Sequence, residues 1–136
     1  MSRARVLLAD DNAQVANQIR ELLEESFDVV GVVSSGEALE TAFETLSPAA
    51  VVTDIAMPGE GGLAAARRIM QRHPGTGVVV LSVIDAPPII RVSFSTGIQG
   101  YVVKENAADE LVPAVEAAMQ GRRYVSATAR RALGDV

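Results

Sequence analysis

The sequence predicts an α/β fold, a single doubly wound domain built on a five-stranded parallel sheet. Short continuous apolar runs, typical of strands covered on both faces, alternate along the chain with segments whose apolar residues recur at helical spacing. The 136 residues are 49% hydrophobic and 21% charged, which suits one globular core rather than a disordered chain. Five strand-helix units in succession indicate parallel strands with helices on both faces.

The first unit begins almost at the N-terminus. A strand is expected over Arg5–Ala9, where four apolar residues follow one another. Apolar residues at helical spacing then run from Val15 to Leu23, and Asn12 is placed to cap that helix. The order is therefore strand, then helix.

The second and third units repeat this order. The second strand is expected over 27–33, and its helix should end before Pro48 because proline disfavours the helical conformation of the residue before it. The third strand is expected over Ala50–Thr53, followed by a glycine-rich loop and a helix ending near His73, ahead of Pro74. The two helical stripes consist of Ala38, Leu39, Ala42, Phe43 and Leu46, and of Leu63, Ala66 and Met70.

The fourth and fifth units complete the sheet. Strands are expected over 78–81 and Gly100–Val103, with a weakly periodic helix over 89–96 between them. The last helix is marked by Leu111, Val115, Ala118 and Met119 and closed by Gly121.

Pro113 constrains where that last helix starts. A start near Asp109 places the proline in the first turns, whereas a start at Asn106 would place it where it kinks the helix.

Polar residues stand where four of the predicted strands stop. Asp10 and Asp11 follow the first strand, Asp54 the third, Ser82 the fourth and Lys104 the fifth. Open parallel sheets bind ligands outside the carboxyl ends of their strands, where the strand order reverses. We therefore expect these side chains to meet at one rim.

Three of these side chains are carboxylates, and together they indicate a cation. Asp10, Asp11 and Asp54 would raise one another's pKa if they were close together and uncompensated. Hard oxygen ligands, in a chain with no cysteine and one histidine, favour Mg²⁺ over zinc or copper.

The same rim has the groups that phosphoryl transfer to an aspartate requires. Asp54 stands alone at its strand end and is the candidate nucleophile, whereas Asp10 and Asp11 form a metal-binding pair. Lys104 offers an ammonium and Ser82 a hydroxyl to the charge that builds on the transferred oxygens.

Composition narrows the function classes further. The absence of cysteine excludes a disulfide framework and a thiol nucleophile. The first residues lack the long apolar segment of a signal peptide or membrane span, so a cytoplasmic protein with no membrane partner is expected. Segment 121–136 carries four arginines and one aspartate, a net charge of +3. Because the whole chain has a net charge of −5, residues 1–120 carry a net charge of −8. So acidic a body is a poor surface for DNA.

Four motifs together resemble one family. LLADD, VVTDIAMPG, VVVLS and GYVVK, spread over residues 7–104, are similar to the receiver domain of bacterial two-component response regulators. The resemblance implies a flavodoxin-like (βα)₅ receiver fold that extends to about residue 120. It also implies that Asp54 accepts a phosphoryl group from a histidine kinase, and that Asp11 binds Mg²⁺ directly while Asp10 acts through water. The backbone carbonyl of Ala56 would complete the metal site.

The resemblance also implies a switch. Ser82 would turn toward the new phosphate, Tyr101 would swing inward behind it, and Lys104 would pair with the phosphoryl oxygens. The phosphate would thereby raise the population of the active arrangement. The protein would phosphorylate and dephosphorylate only itself, so it would not be an enzyme for outside substrates. Ala56 and Ile84 would modulate hydrolysis, with Ile84 shielding the phosphoryl group from water.

The C-terminal part of the chain resembles regulators that carry a LuxR-type helix-turn-helix. We expect a receiver domain over 1–120 and a basic tail or linker stub over 121–136. DNA contact and transcription regulation are implied only through a C-terminal domain missing from this sequence. A stand-alone receiver, acting in a phosphorelay or by protein contact without phosphorylation, remains the alternative. A second copy could bind through the last helix or the face from the fourth helix to the fifth.

Each of these residues also has an ordinary structural explanation. Asp10 and Asp11 could begin a loop, Asp54 and Ser82 could lie in turns, Lys104 could be solvated, and Tyr101 could be a core aromatic. Two other functions fit less well. A dehalogenase-type hydrolase places its nucleophile in an Asp-x-Asp after the first strand, and a nucleotide-binding module has a glycine-rich turn there. In this chain the first strand is followed by Asp10, Asp11 and Asn12, which matches neither pattern.

Overall fold

The structure is a computed structural model and describes residues 3–134. Its strands are β1 (Arg5–Ala9), β2 (Asp28–Val33), β3 (Ala50–Thr53), β4 (Gly77–Ser82), β5 (Gly100–Val103) and β6 (Tyr124–Val125). Its α-helices are α1 (Ala13–Glu24), α2 (Gly36–Leu46), α3 (Gly61–Arg72), α4 (Pro87–Ser95), α5 (Ala107–Met119) and α6 (Ala127–Leu133). A short 3₁₀ turn, Lys104–Asn106, joins β5 to α5.

The strands form one parallel sheet in the order β2-β1-β3-β4-β5-β6. One core layer, which includes Leu23 and Leu111, lies between the sheet and helices α1 and α5. The other, which includes Phe43, Ile69 and Ile90, lies under α2, α3, α4 and α6. The doubly wound α/β prediction is confirmed, and the strand order reverses between β1 and β3, so the rim there is open to a ligand.

The prediction of five strands was wrong in number, because the sheet has six strands within residues 3–134. β6 extends the sheet beyond β5, with Gly100 opposite Tyr124 and Tyr101 opposite Val125. Only two residues long and preceded by two arginines, β6 gives no apolar run that periodicity can detect.

The segment expected to be a basic tail thus lies, over 124–133, against the sheet as β6 and α6. Residues 135–136, the last of that expected tail, lie outside the described part of the chain.

Helix boundaries follow the local chemistry of the chain. The Asn12 side chain accepts hydrogen bonds from Gln14 and Val15 at 3.1 Å each and caps α1 as predicted. α5 starts at Ala107 rather than near Asp109, so Pro113 lies inside the helix, where its missing N–H removes a backbone hydrogen bond.

Across residues 3–134, no helix is both long enough and apolar enough to cross a bilayer.

Candidate functional site

The four strand ends meet at one rim, as the sequence predicted. Asp10 follows β1, Asp54 follows β3, Ser82 ends β4 and Lys104 follows β5. Asp10, Asp54 and Ser82 are buried, at 3%, 8% and 0% exposure, although all three are polar. Polar groups this deeply buried have to be paired, and the rim supplies partners for each of them.

Lys104 is the electrostatic centre of the rim. Its Nζ donates to Asp54 Oδ2 at 2.7 Å and to Asp10 Oδ2 at 2.9 Å. Burial acts to lower the pKa of Lys104, but the hydrogen bonds and charges of Asp54 and Asp10 outweigh it and raise the pKa above its ordinary value. The ammonium therefore stays charged at neutral pH and compensates two carboxylates.

Three carboxylates lie close enough together to share one cation. Asp10, Asp11 and Asp54 each offer an oxygen, and these three oxygens lie within 4.8 Å of one another. Backbone N–H groups orient two of these carboxylates. Asn12 N donates to Asp10 Oδ1 at 2.9 Å, and Ala56 N donates to Asp54 Oδ1 at 3.1 Å. Asp11 is exposed. Such an all-oxygen donor set at an accessible rim fits Mg²⁺.

The backbone carbonyl of Asp54 lies in close contact with Thr53 and with the start of α3. The buried hydroxyl of Thr53 donates to the carbonyl oxygen of Asp54 at 3.0 Å. At the start of α3, a Cβ on Gly62 would lie 2.0 Å from the same carbonyl, so only glycine lets the helix approach so closely. The sequence predicts only a glycine-rich loop at Gly62 and the end of a strand at Thr53, with no signal for either contact.

Ser82, Tyr101 and Ile84 form one hydrogen-bonded group beside Asp54. Ile84 N donates to Ser82 Oγ at 3.1 Å, and Tyr101 OH donates to Ile84 O at 2.7 Å. Tyr101 is fully buried, and burial is the main cause that raises the pKa of its phenol. The backbone of Ile84 thus links the hydroxyl at the end of β4 to the aromatic ring of β5.

Comparison with known proteins shows which protein family the chain matches. The model of the response regulator receiver domain matches residues 6–116, which is most of the chain. Two curated relatives are the response regulators GacA of Pseudomonas protegens and UvrY of Escherichia coli. GacA is 35% identical over 124 residues, covering 90% of this chain and 58% of GacA. UvrY is 34% identical over 123 residues, covering 89% of this chain and 56% of UvrY. The chain thus spans little more than half the length of these relatives.

Solved structures agree with this comparison. A LuxR-family two-component response regulator from Aurantimonas superposes with a TM-score of 0.91 at 30% identity, covering 98% of this chain and 96% of that one. The isolated receiver domain of RcsB from Salmonella enterica, determined with the phosphomimetic BeF₃⁻, superposes with a TM-score of 0.87 at 28% identity, covering 97% and 99%.

Proposed function

Because this chain belongs to the response regulator receiver domain family, we propose that it is a signalling switch in which Asp54 accepts a phosphoryl group from a histidine kinase. The observation that carries this proposal is the position of Asp54. Its carboxylate is buried, shares Lys104 with Asp10 and lies within 4.8 Å of the other two acids. A carboxylate held by both an ammonium and a candidate metal site is suited to receive phosphate.

The transfer forms one bond and breaks one. An oxygen of Asp54 attacks phosphorus, and the bond from phosphorus to the donor imidazole nitrogen breaks. The electron pair stays on that nitrogen, and the donor leaves as neutral imidazole because its other ring nitrogen carries a proton. Lys104 then donates to the phosphoryl oxygens, on which negative charge builds during transfer. Asp10, Asp11, Asp54 and the carbonyl of Ala56 would hold Mg²⁺, which when bound neutralises phosphoryl charge. The chemistry is confined to self-phosphorylation and self-dephosphorylation of the chain.

The hydrogen-bonded group at β4 and β5 is the proposed readout. Ser82 Oγ lies at the end of β4 and can donate to a phosphoryl oxygen in place of its present contact with Ile84 N. Because Tyr101 OH contacts the same Ile84, a shift of Ser82 changes the packing of Tyr101. Phosphorylation would then shift the population of β4–α4 conformations.

We propose transcription control as the output, through a domain that is not in this sequence. Relatives include the transcriptional regulatory protein DegU of Brevibacillus brevis, and RcsB structures contain dimers and DNA. In this proposal a second copy of the chain is also a partner, and DNA is bound only by the additional domain. A stand-alone receiver remains the second candidate, since its rim would look the same. We further propose that the protein acts in the cytoplasm.

Phosphorylation by a small donor tests the acceptor assignment. Incubation with Mg²⁺ and acetyl phosphate should add one phosphoryl mass to the protein, and Asp54→Asn should abolish the addition because an amide is not a nucleophile for phosphorus. Asp28→Asn is the matched control, because Asp28 begins β2 at the opposite end of the sheet. Failure of the wild-type protein to respond would favour a receiver that acts by protein contact alone.

A further inference from the structure

Residues 122–133, here called the C-terminal segment, are tied to the end of β5. Ser126 N donates to the carbonyl of Tyr101 at 3.0 Å, and Ser126 Oγ accepts from Val103 N at 3.0 Å. Ser126 is fully buried, so its hydroxyl is the acceptor of a strand amide shielded from water. Such a bond is costly to lose, because the amide would keep no partner.

Two side chains beyond Lys104 hold the same segment. Asn106 Oδ1 accepts from Thr128 N at 3.2 Å, in the first turn of α6. Glu110 of α5 accepts from Tyr124 OH at 2.8 Å and from Ala127 N at 3.0 Å. Burial, followed by the contact with Glu110, raises the pKa of Tyr124 to about 12, so the phenol keeps its donor proton at neutral pH.

Apolar contacts join the segment to the helix on the other side. Ala129 of α6 is fully buried in the same core layer as Tyr101 and Ile90. The guanidinium of Arg123 lies 4.1 Å from the centre of the Phe94 ring, and that ring lies 6.5 Å from the ring of Tyr101. α6 packs against both α4 and β5.

These anchors lie on both sides of Lys104. Tyr101 and Val103 precede it and Asn106 follows it, while its Nζ reaches Asp10 and Asp54. Three residues of turn separate the strand from α5, so the backbone there has little freedom once both sides are fixed. The C-terminal segment therefore adds a set of anchors to the turn that carries Lys104, besides the pairing of β5 with β4.

We propose that Ser126 and Glu110 are positioning residues for the chemistry at Asp54, acting through the turn that carries Lys104. The inference rests on the proposed function, since it concerns the response of the same site. It also assigns residues 122–133 a role in the phosphorylation reaction, although the sequence placed them outside the domain.

In this proposal, anion binding at Asp54 and docking of the C-terminal segment favour each other. An anion on Asp54 adds negative charge beside Lys104 and therefore favours the arrangement in which the ammonium stays at the rim. Docking of the C-terminal segment favours that same arrangement. By linkage, anion binding and docking must strengthen each other by the same factor.

Beryllofluoride with Mg²⁺ is the probe, and the full chain is titrated by fluorine NMR. We expect Ser126→Ala and Glu110→Gln each to weaken beryllofluoride binding by about three- to tenfold. The first removes the acceptor of Val103 N, and the second replaces one of the two acceptor oxygens of Glu110 by an NH₂ group that cannot accept. Ser35→Ala is the matched control. It also deletes a hydroxyl that accepts from a backbone amide, Ala38 N at 3.1 Å, but it does so at the start of α2. The control should bind like the wild type.

Hydrogen exchange provides a readout that loss of stability alone would not produce. Beryllofluoride should slow exchange of amides 124–133 in the wild type and slow them less in Ser126→Ala. Faster or unchanged exchange on binding would overturn the inference, as would wild-type affinity in both variants. If the wild type itself binds no beryllofluoride, it is the proposed function that fails. Glu110 is only half-buried, so Glu110→Gln should fold even if Ser126→Ala does not.

Discussion

Lys104 shows how one residue sets the electrostatics of the rim. Two buried carboxylates within 3 Å of its ammonium would repel each other without it, and the pKa of Lys104 is raised by their presence. A cation held by the three acids would, together with the ammonium beside two of them, make this an anion-accepting site within an acidic body. In the proposed function, such a rim accepts a group that carries its own negative charge, such as phosphate.

Ile84 carries a prediction at this scale. Its backbone is fixed by Ser82 and Tyr101, so its half-buried side chain has a defined place two residues beyond β4. We propose that this apolar side chain keeps water from the phosphoryl group. Ile84→His should therefore speed the decay of phosphoaspartate, measured as loss of phosphoryl mass over time. The substitution leaves both backbone contacts available. A decay rate equal to or slower than that of the wild type would contradict the proposal that Ile84 keeps water from the phosphoryl group.

The residues of the site were largely predictable because each follows an apolar strand. Asp10, Asp54 and Lys104 stand out as polar residues directly after buried runs, and their meeting at one rim follows from parallel topology. Thr53 and Gly62 were not predictable in their roles. A close approach between α3 and the Asp54 carbonyl depends on three-dimensional packing, which a local glycine-rich pattern does not encode.

α4 is expected to be less stable than α1. It has nine residues, its buried positions are Ile90 and Ser93, and Ala86 before it provides no side-chain cap. Ile89 and Val92 on the same helix are exposed. By contrast α1 has twelve residues, a capping Asn12 and three buried positions.

We therefore predict that α4 amides exchange with solvent faster than those of α1. Native-state hydrogen exchange measured by mass spectrometry on peptides from both helices compares them in a single sample. Equal protection of the two helices would show that α4 is as firmly held as α1, which would remove the argument that it moves on activation.

The contact between β4 and α5 allows a stability prediction. A Cβ on Gly77 would lie 2.8 Å from the carbonyl carbon of Ala118 and 2.9 Å from Met119 N, both backbone atoms. Gly77→Ala should therefore force the helix and strand apart and lower the free energy of unfolding by about 1–3 kcal/mol. Urea denaturation measures this value.

Gly75 gives the matched control for that experiment. Among the described residues no heavy atom lies within 4 Å of a Cβ placed there, and Gly75→Ala should be neutral or slightly stabilising. If both alanine variants lose the same stability, the close packing of β4 against α5 does not explain the effect at Gly77.

At the element scale, long apolar runs were predictable and short ones were not. β1, β3 and β5 lie where the sequence placed them because three or four consecutive apolar residues mark each buried strand. β6 could not be found this way, because it has only two residues and they pair with the backbone of β5. Ser126 and Glu110, which hold the chain beside β6, lie far in sequence from the residues they contact.

For the whole molecule, the arginine-rich end of the chain is part of the fold. β6 extends the sheet and α6 packs against it, while Arg122, Arg130 and Arg131 stay exposed on an otherwise acidic protein. The path from the rim at Asp54 to this end is short, because β5 and the turn after it contact both. In the proposed switch, a change at Asp54 would therefore reach α6 without crossing the sheet.

The central claim is that Asp54 itself carries the phosphate, and mapping the modified residue tests it most directly. Borohydride reduction of an aspartyl phosphate leaves homoserine, which peptide mass spectrometry can locate. After treatment with acetyl phosphate and Mg²⁺, we predict homoserine at Asp54 and its loss when the metal is chelated. Homoserine at Asp10 or Asp11, or none at any position of a protein that has gained phosphoryl mass, would contradict the account.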